Sequence, residues 1–221
     1  MSATSALPDN RVTNPPVNTV LVWDAPVRVF HWLMVLCFAG AYLTSESEVW
    51  RLVHVTLGYT MVGLVGFRLL WGVMGTRYAR FAEFVQGPGG VLRYLHTLLR
   101  GQPAHHTGHN PVGALSILAV LLLTLAIGVT GWAGYNEMAG EWVSDIHEGV
   151  ANAMLAVIAV HVAGVVLSSR MHQENLARAM VTGRKSGTPQ DAIRSAWWSL
   201  GAMMLVAVGC FWWLQWQSVA L

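Results

Sequence analysis

Long apolar runs separated by short polar connections dominate the pattern of hydrophobic and polar positions along the chain. A helix needs about 20 mostly apolar residues to cross a bilayer. Asn110 and Pro111 form a helix start before the third run, and tryptophans border both ends of the last one. The pattern therefore predicts five spanning helices, at 27–45, 52–74, 111–134, 146–169 and 196–216.

Composition supports a membrane protein and excludes several other classes. Of the 221 residues, 54% are hydrophobic and only 11% are charged, against about 25% charged residues in soluble domains. A secreted, nucleic-acid-binding or ordinary cytosolic protein does not fit these values. Cys37 and Cys210 lie inside apolar runs, with no CxxC or CxxCH motif. This excludes a disulfide framework, a thiolate zinc site, an iron–sulfur site and c-type haem attachment.

Positive charge is distributed unevenly among the polar connections. Of the 13 basic residues, 11 fall in segments 1–28, 75–110 and 170–195, which the positive-inside rule places in the cytoplasm. We therefore predict a multi-pass protein of the bacterial inner membrane, with a cytoplasmic N-terminus and a periplasmic C-terminus. Residues 1–20 lack the apolar region of a signal peptide and are predicted to form a flexible cytoplasmic tail. Residues 91–100 are amphipathic and predict a short interfacial helix, with a surface loop as the alternative.

Four histidines lie within the predicted spans, where ionisable side chains are costly and are candidates for function. The predicted topology puts His31 and His161 near the cytoplasmic side and His54 and His147 near the outer side. The 14 residues between His147 and His161 correspond to a rise of about 21 Å, with both side chains on nearly the same helix face. His31 can thus pair with His161, and His54 with His147. Two pairs at two depths suit the axial ligands of two stacked b-type haems.

Other interpretations of these histidines fit the pattern less well. One histidine alone could simply bond to a neighbouring helix, but four occur together without acidic residues deep in the spans. A haem-free metal transporter or a single zinc or copper site would need its ligands at one depth. A proton relay would include acidic partners, and only Asp145 and Glu148 at the outer rim are available.

Two arginines are candidate partners for the carboxylates of a haem. Arg68 lies 14 residues after His54, at the depth of the inner pair, and a buried arginine needs an anion. The alternative for Arg68 is that its side chain extends to the cytoplasmic headgroups. Arg28 precedes His31 by three residues and is the second candidate.

Five further histidines are predicted on the cytoplasmic side. His96, His105, His106 and His109 are interpreted as solvated loop residues. His172 is different, because it follows His161 by 11 residues and shares its helix face, about +20° away. It could bind a propionate or a quinone head group, or compete as a ligand.

Several segments resemble the prokaryotic di-haem cytochrome b561 family, which includes the cytochrome b subunits of nickel–iron hydrogenases. The segments are WDAPVRVFHW (23–32), RLVHVTLGY (51–59), GFRLLWG (66–72), GHNPVGAL (108–115), IHEGVANAMLAVIAVHVAGV (146–165) and HQENLARAMVTGRK (172–185). The resemblance implies an all-α integral membrane fold, with a four-helix haem-binding bundle at 21–186 and a linker and fifth transmembrane helix at 187–221. It also implies that His31, His54, His147 and His161 are the axial ligands of two b haems.

The resemblance further implies electron transfer between quinone and a second redox partner. Because the outer loops 45–51 and 134–146 are short, the main hypothesis is a periplasmic partner such as a small cytochrome c. The alternatives are the cytochrome b subunit of a hydrogenase, or a superoxide:quinone oxidoreductase. The last would need a positive outer surface, whereas the outer loops are acidic apart from Arg51. An electron carrier is favoured over an enzyme, and homodimer formation is left open.

Overall fold

The structure is a computed structural model that describes residues 19–85, 87–100, 107–138 and 140–218. Among these, five helices are long and apolar enough to cross a membrane. They are α1 (Ala25–Thr44), α2 (Arg51–Met74), α5 (Pro111–Tyr135), α6 (Trp142–Met171) and α8 (Trp198–Gln217). The predicted all-α membrane bundle is confirmed, and each span agrees with its predicted range to within about one helical turn.

Shorter elements connect the spans. They are β1 (Thr19–Leu21), α3 (Phe81–Phe84), α4 (Pro88–Leu99), α7 (Leu176–Thr182) and β2 (Arg184–Ser186), together with single 3-10 turns at Glu48–Trp50, Arg77–Ala79 and Pro189–Asp191. The helix predicted at 91–100 is present as most of α4. The two strands and α7 had no counterpart in the sequence prediction. Residues 1–18 of the predicted tail lie outside the described residues, whereas Thr19 and Val20 belong to β1.

Side-chain caps fix where two of the spanning helices begin. The Asp24 carboxylate accepts a hydrogen bond from the Val27 amide at 2.8 Å at the start of α1. Asn110 does the same for the Gly113 amide at 2.7 Å at the start of α5, which confirms the predicted cap. Each cap satisfies a backbone donor that a helix start leaves free.

Close packing joins the spans in the order α1–α2–α5–α6, and α8 lies against α1 and α2. Among the described residues, α6 has hardly any close backbone approach to α1 or α2. The mid-depth core contains Cys37, Met61, Leu64, Val65 and Met154. The bundle is therefore closed by side chains at mid-depth, while its backbones stay apart between α6 and the α1–α2 pair.

A small cap of non-helical chain closes the predicted cytoplasmic end. β1 and β2 form an antiparallel pair in which Val20 faces Lys185. Gly183 ends α7 with φ +80°, a conformation that glycine adopts readily. A Cβ at this position would lie 2.7 Å from the Trp23 carbonyl oxygen. The Gly183 carbonyl in turn accepts hydrogen bonds from the amides of Val22 and Trp23. The cap thus fixes the start of α1 against the segment that follows α6.

Candidate functional site

The outer ends of α2 and α6 place two histidine rings close together. The ring centres of His54 and His147 are 6.1 Å apart, and the ring planes differ by 65°. A metal–imidazole bond of about 2 Å on each side, plus about 1 Å from each nitrogen to its ring centre, would put two axial imidazoles about 6 Å apart. The observed separation fits two ligands of one metal ion, as predicted from their depths.

Backbone carbonyls define which ring nitrogen of the outer pair is protonated. His54 Nδ1 lies 2.8 Å from the Ala41 carbonyl oxygen, and His147 Nδ1 lies 3.1 Å from that of Ile127. A carbonyl oxygen only accepts, so each Nδ1 carries a proton and donates it. Each Nε2 therefore keeps its lone pair for a metal, which is the tautomer and orientation typical of metal-binding histidines.

Thr130 and Gly131 of α5 lie against the His147 ring. The Thr130 hydroxyl donates to the Ala126 carbonyl at 2.7 Å, and its oxygen lies 3.1 Å from His147 Nδ1. A Cβ at Gly131 would lie 2.9 Å from His147 Cε1. The imidazole thus rests directly on the α5 backbone, where only glycine leaves enough room.

The inner pair, His31 and His161, is arranged differently. The two rings are close enough to interact electrostatically. His31 Nδ1 is buried, with no hydrogen-bond partner among the described residues. The His31 ring contacts Trp32 edge-on, with centres 5.0 Å apart. In the described residues, the inner pair therefore lacks the carbonyl contacts that hold the outer pair.

A packed layer separates the two levels. Met61 lies seven residues from both His54 and Arg68, and Met154 lies seven residues from both His147 and His161. Met61 and Met154 are 2% and 0% exposed. Thr124 donates a weak hydrogen bond to the Met154 sulfur at 3.8 Å. Buried side chains therefore lie between the levels of the two histidine pairs.

Space beside the ligand helices is compatible with a planar macrocycle. A Cβ at Gly58, one turn after His54, would meet nothing within 4 Å, and the same holds for Gly164 after His161. In the described residues no group of three or more histidine, cysteine or acidic side chains could hold a bare metal ion. Paired histidines with open space beside them fit haem, in which the porphyrin supplies the other ligands.

The two predicted arginines have different surroundings. Arg28 Nη1 donates to the Val181 carbonyl at 2.6 Å, and its guanidinium lies 4.5 Å from the Trp198 ring centre. Arg68 is 2% exposed, and its guanidinium lies over the rings of Phe81 and Phe84. Arg28 thus links α1 to α7 and α8. Arg68 is enclosed by aromatic rings, so the alternative of a side chain extended to the headgroups does not apply.

Of the remaining histidines, which were predicted on the cytoplasmic side, one differs from its prediction as a solvated loop residue. His172 is partly buried at the end of α6, where its amide donates to the Ser168 carbonyl, and His96 is exposed. His105 and His106 lie outside the described residues. His109, interpreted as a solvated loop residue, instead packs against Trp23 and Phe84. Burial lowers its pKa to about 3, so the ring is neutral at pH 7. The only sequence signal for this was its place beside the Asn110 cap.

A buried ion pair supports the cytoplasmic cap. Lys185 Nζ lies 3.4 Å from a Glu174 carboxylate oxygen, and both side chains are largely buried. The second oxygen of Glu174 accepts from the Ser186 amide at 2.9 Å. Burial lowers the pKa of Lys185 despite this partner. The pair links the end of α6 to β2.

A bundle of membrane helices with histidines paired across it is the construction of a membrane-embedded b-type cytochrome. The sequence profile of the family described as Prokaryotic cytochrome b561 matches residues 22–183. The chain belongs to this family.

Three similar proteins are each named as a B-type cytochrome subunit of a Ni/Fe-hydrogenase. The chain is 30% identical over 142 residues to the "Probable Ni/Fe-hydrogenase 1 B-type cytochrome subunit" of Escherichia coli (strain K12), covering 52% of this chain and 60% of that protein. A "Probable Ni/Fe-hydrogenase B-type cytochrome subunit" of Rhizobium leguminosarum bv. viciae is 26% identical, with 76% and 89% covered. The Azotobacter vinelandii protein of that name is 27% identical, with 74% and 87% covered. No solved structure matches the chain significantly.

Proposed function

We propose that the chain is the membrane cytochrome b subunit of a nickel–iron-hydrogenase type of complex, and that it carries electrons between an outer partner and quinone through two b haems. The observation that carries this proposal is the outer pair, whose ring centres lie 6.1 Å apart while each Nδ1 bonds to a backbone carbonyl and leaves its Nε2 for a metal. The names of the relatives supply the kind of partner.

In this proposal, His54 and His147 are the axial ligands at the outer level, and His31 and His161 those at the inner level. Haem iron supplies one-electron chemistry by alternating between its ferric and ferrous states. The chain holds the outer imidazoles by their Nδ1–H bonds to Ala41 and Ile127. Fixed ligand orientation reduces the rearrangement that accompanies each change of charge.

The names of the relatives change the hypothesis about the outer partner that was drawn from the sequence. The short outer loops favoured a small cytochrome c, which stays the second candidate. The relatives are named as hydrogenase subunits, and this favours the hydrogenase alternative. Trp50, Tyr135 and Trp142 are exposed at the ends of α2, α5 and α6 on the side of the outer pair, and we infer that they give such a partner a surface.

The proposed orientation puts the outer pair in the periplasmic half of the bacterial inner membrane. The support is the concentration of Arg and Lys in the connections at the opposite end, including Arg77, Arg80, Arg178 and Arg184. The inner pair then faces the cytoplasmic half, where His172 is the candidate contact for a quinone head group.

Single histidine substitutions test the ligand assignment. We expect His54→Ala and His147→Ala to lose the same haem, and His31→Ala and His161→Ala to lose the other. The measurement is haem per purified chain, together with reduced-minus-oxidised spectra. His96→Ala is the control, because His96 is exposed and far from both pairs in sequence. Loss of one and the same haem on changing His54 and His161 would contradict the assignment.

A further inference from the structure

Arg68 is a buried cation with one unpartnered side-chain nitrogen within the described residues. Its Nη1 atom is buried and has no hydrogen-bond partner among the described residues. The nearest acid that acts on it is Asp24, whose carboxylate already accepts from the Val27 amide, from Trp71 Nε1 at 3.0 Å and from Thr76 Oγ1 at 2.6 Å. A buried guanidinium that lacks a bonded anion costs several kcal/mol. Within the described residues, Arg68 Nη1 is therefore available to an anion that a ligand supplies.

His109 has a second unpartnered polar atom in the same place. Its Nδ1 is buried without a hydrogen-bond partner among the described residues. The ring centre lies 4.9 Å from that of Phe84, the same ring that Arg68 covers at 5.9 Å. The imidazole also packs on Trp23, with centres 4.5 Å apart. Phe84 thus contacts both His109 and the Arg68 guanidinium.

The electrostatic surroundings of His109 connect it to the inner histidine pair. Arg68, Lys185, His161 and His31 each act electrostatically on His109. Lys185 is already paired with Glu174, whereas Arg68 keeps an unpartnered Nη1 in the part of the chain that the structure describes. Asp24 acts on Arg68 and Glu174 acts on Lys185, and both carboxylates already accept hydrogen bonds from other donors. Both inner histidines act electrostatically on His109, so a ligand held at His31 and His161 can supply the anion.

We propose that His109 and Arg68 together bind one carboxylate of the haem that His31 and His161 hold, with Arg68 supplying the charge and His109 a hydrogen-bond donor. This rests on the proposed function and extends it by assigning His109, which the sequence interpretation placed in a solvated loop. It also accounts for both unpartnered atoms with one ligand group.

The test compares haem b with its dimethyl ester, which has the same macrocycle but no free carboxylates. Full-length apoprotein in the His54→Ala background, in which only the inner haem binds, is titrated with each compound. His109→Phe keeps the aromatic packing and removes the donor, whereas His109→Gln keeps a donor. His96→Phe is the matched control on the same side of the protein.

We expect His109→Phe to bind haem b about tenfold or more weakly, because a hydrogen bond to a charged group contributes about 1.5–3 kcal/mol. His109→Gln should recover most of this loss. With the dimethyl ester, the affinities of His109→Phe and the parent protein should be equal. Equal losses for haem b and the ester would mean that His109 acts only through packing, and would overturn the inference.

The design separates this inference from the proposed function. If the His54→Ala protein binds no haem at all, the assignment of His31 and His161 fails. If it binds haem b normally but His109→Phe has no effect on affinity, only the role of His109 fails. A loss that His109→Gln does not reduce would also contradict the donor role.

Discussion

Gly131 gives the sharpest test of how the outer histidine pair is built. A Cβ at this position would lie 2.9 Å from His147 Cε1 and 3.2 Å from Nδ1, whereas ordinary contact begins at 3.4 Å. The ring would have to move by about half an ångström, the scale at which overpacking becomes costly. Movement away from α5 would stretch the two 3.1 Å contacts of Nδ1, to Ile127 and Thr130, beyond hydrogen-bond range.

The expected size of the effect follows from two opposing contributions. Alanine in place of glycine favours a helix by up to about 1 kcal/mol, and overpacking costs about 1–3 kcal/mol. The helix contribution acts with or without haem, whereas the displaced ring affects the geometry that a metal needs. We therefore expect Gly131→Ala to weaken outer-haem binding by roughly tenfold, which corresponds to about 1.4 kcal/mol.

The assay is a haem titration of the apoprotein in the His31→Ala background, where only the outer haem binds. Gly134→Ala, one turn further along α5, is the matched control, because its nearest atoms would be at 4.0 Å from the new Cβ. It should bind outer haem like the parent protein. If Gly131→Ala also binds haem with unchanged affinity, then His147 is not held where the structure places it, or is not a ligand.

Two further predictions concern the outer histidine and the topology. Thr130→Val removes the hydroxyl beside His147 Nδ1 and should make the outer-haem potential more positive, since a less polarised imidazole is a weaker base. The measurement is a redox titration, with Ser116→Ala as the control because the Ser116 hydroxyl donates to the Val112 carbonyl within α5. An unchanged or lower potential in Thr130→Val would contradict this prediction. An alkaline phosphatase reporter fused after Leu221 should be active, because the charge distribution puts the C-terminus in the periplasm. If the alkaline phosphatase fusion is inactive and a reporter that fluoresces in the cytoplasm is fluorescent at the same position, the proposed orientation is wrong.

The spanning helices could be predicted because lipid requires every backbone group in a span to be satisfied locally. This makes the signal a local one, the length of an apolar run, and it was sufficient for all five spans. The pairing of His54 with His147 followed from the same regularity, since the helical rise fixes depth along each span. The 6.1 Å distance between the two ring centres agrees with that geometry.

The cytoplasmic cap could not be predicted by such reasoning. β1 and β2 are three residues each and pair across more than 160 positions of sequence, as Val20 does with Lys185. No periodicity marks strands of that length, and their partners are fixed only by tertiary structure. The same holds for His109, whose burial depends on Trp23 and Phe84 arriving from two distant segments.

Arg68 shows why depth alone does not assign a role to a charged residue in a membrane helix. Its distance from the helix end allowed either extension to the headgroups or an inward contact, and both satisfy the same spacing. The decision depends on the segment after α2, which turns back so that Phe81 and Phe84 cover the guanidinium. Once those rings close off the headgroups, the cost of the buried charge has to be met from inside the protein, where Asp24 acts on Arg68 and Nη1 is left for a further anion.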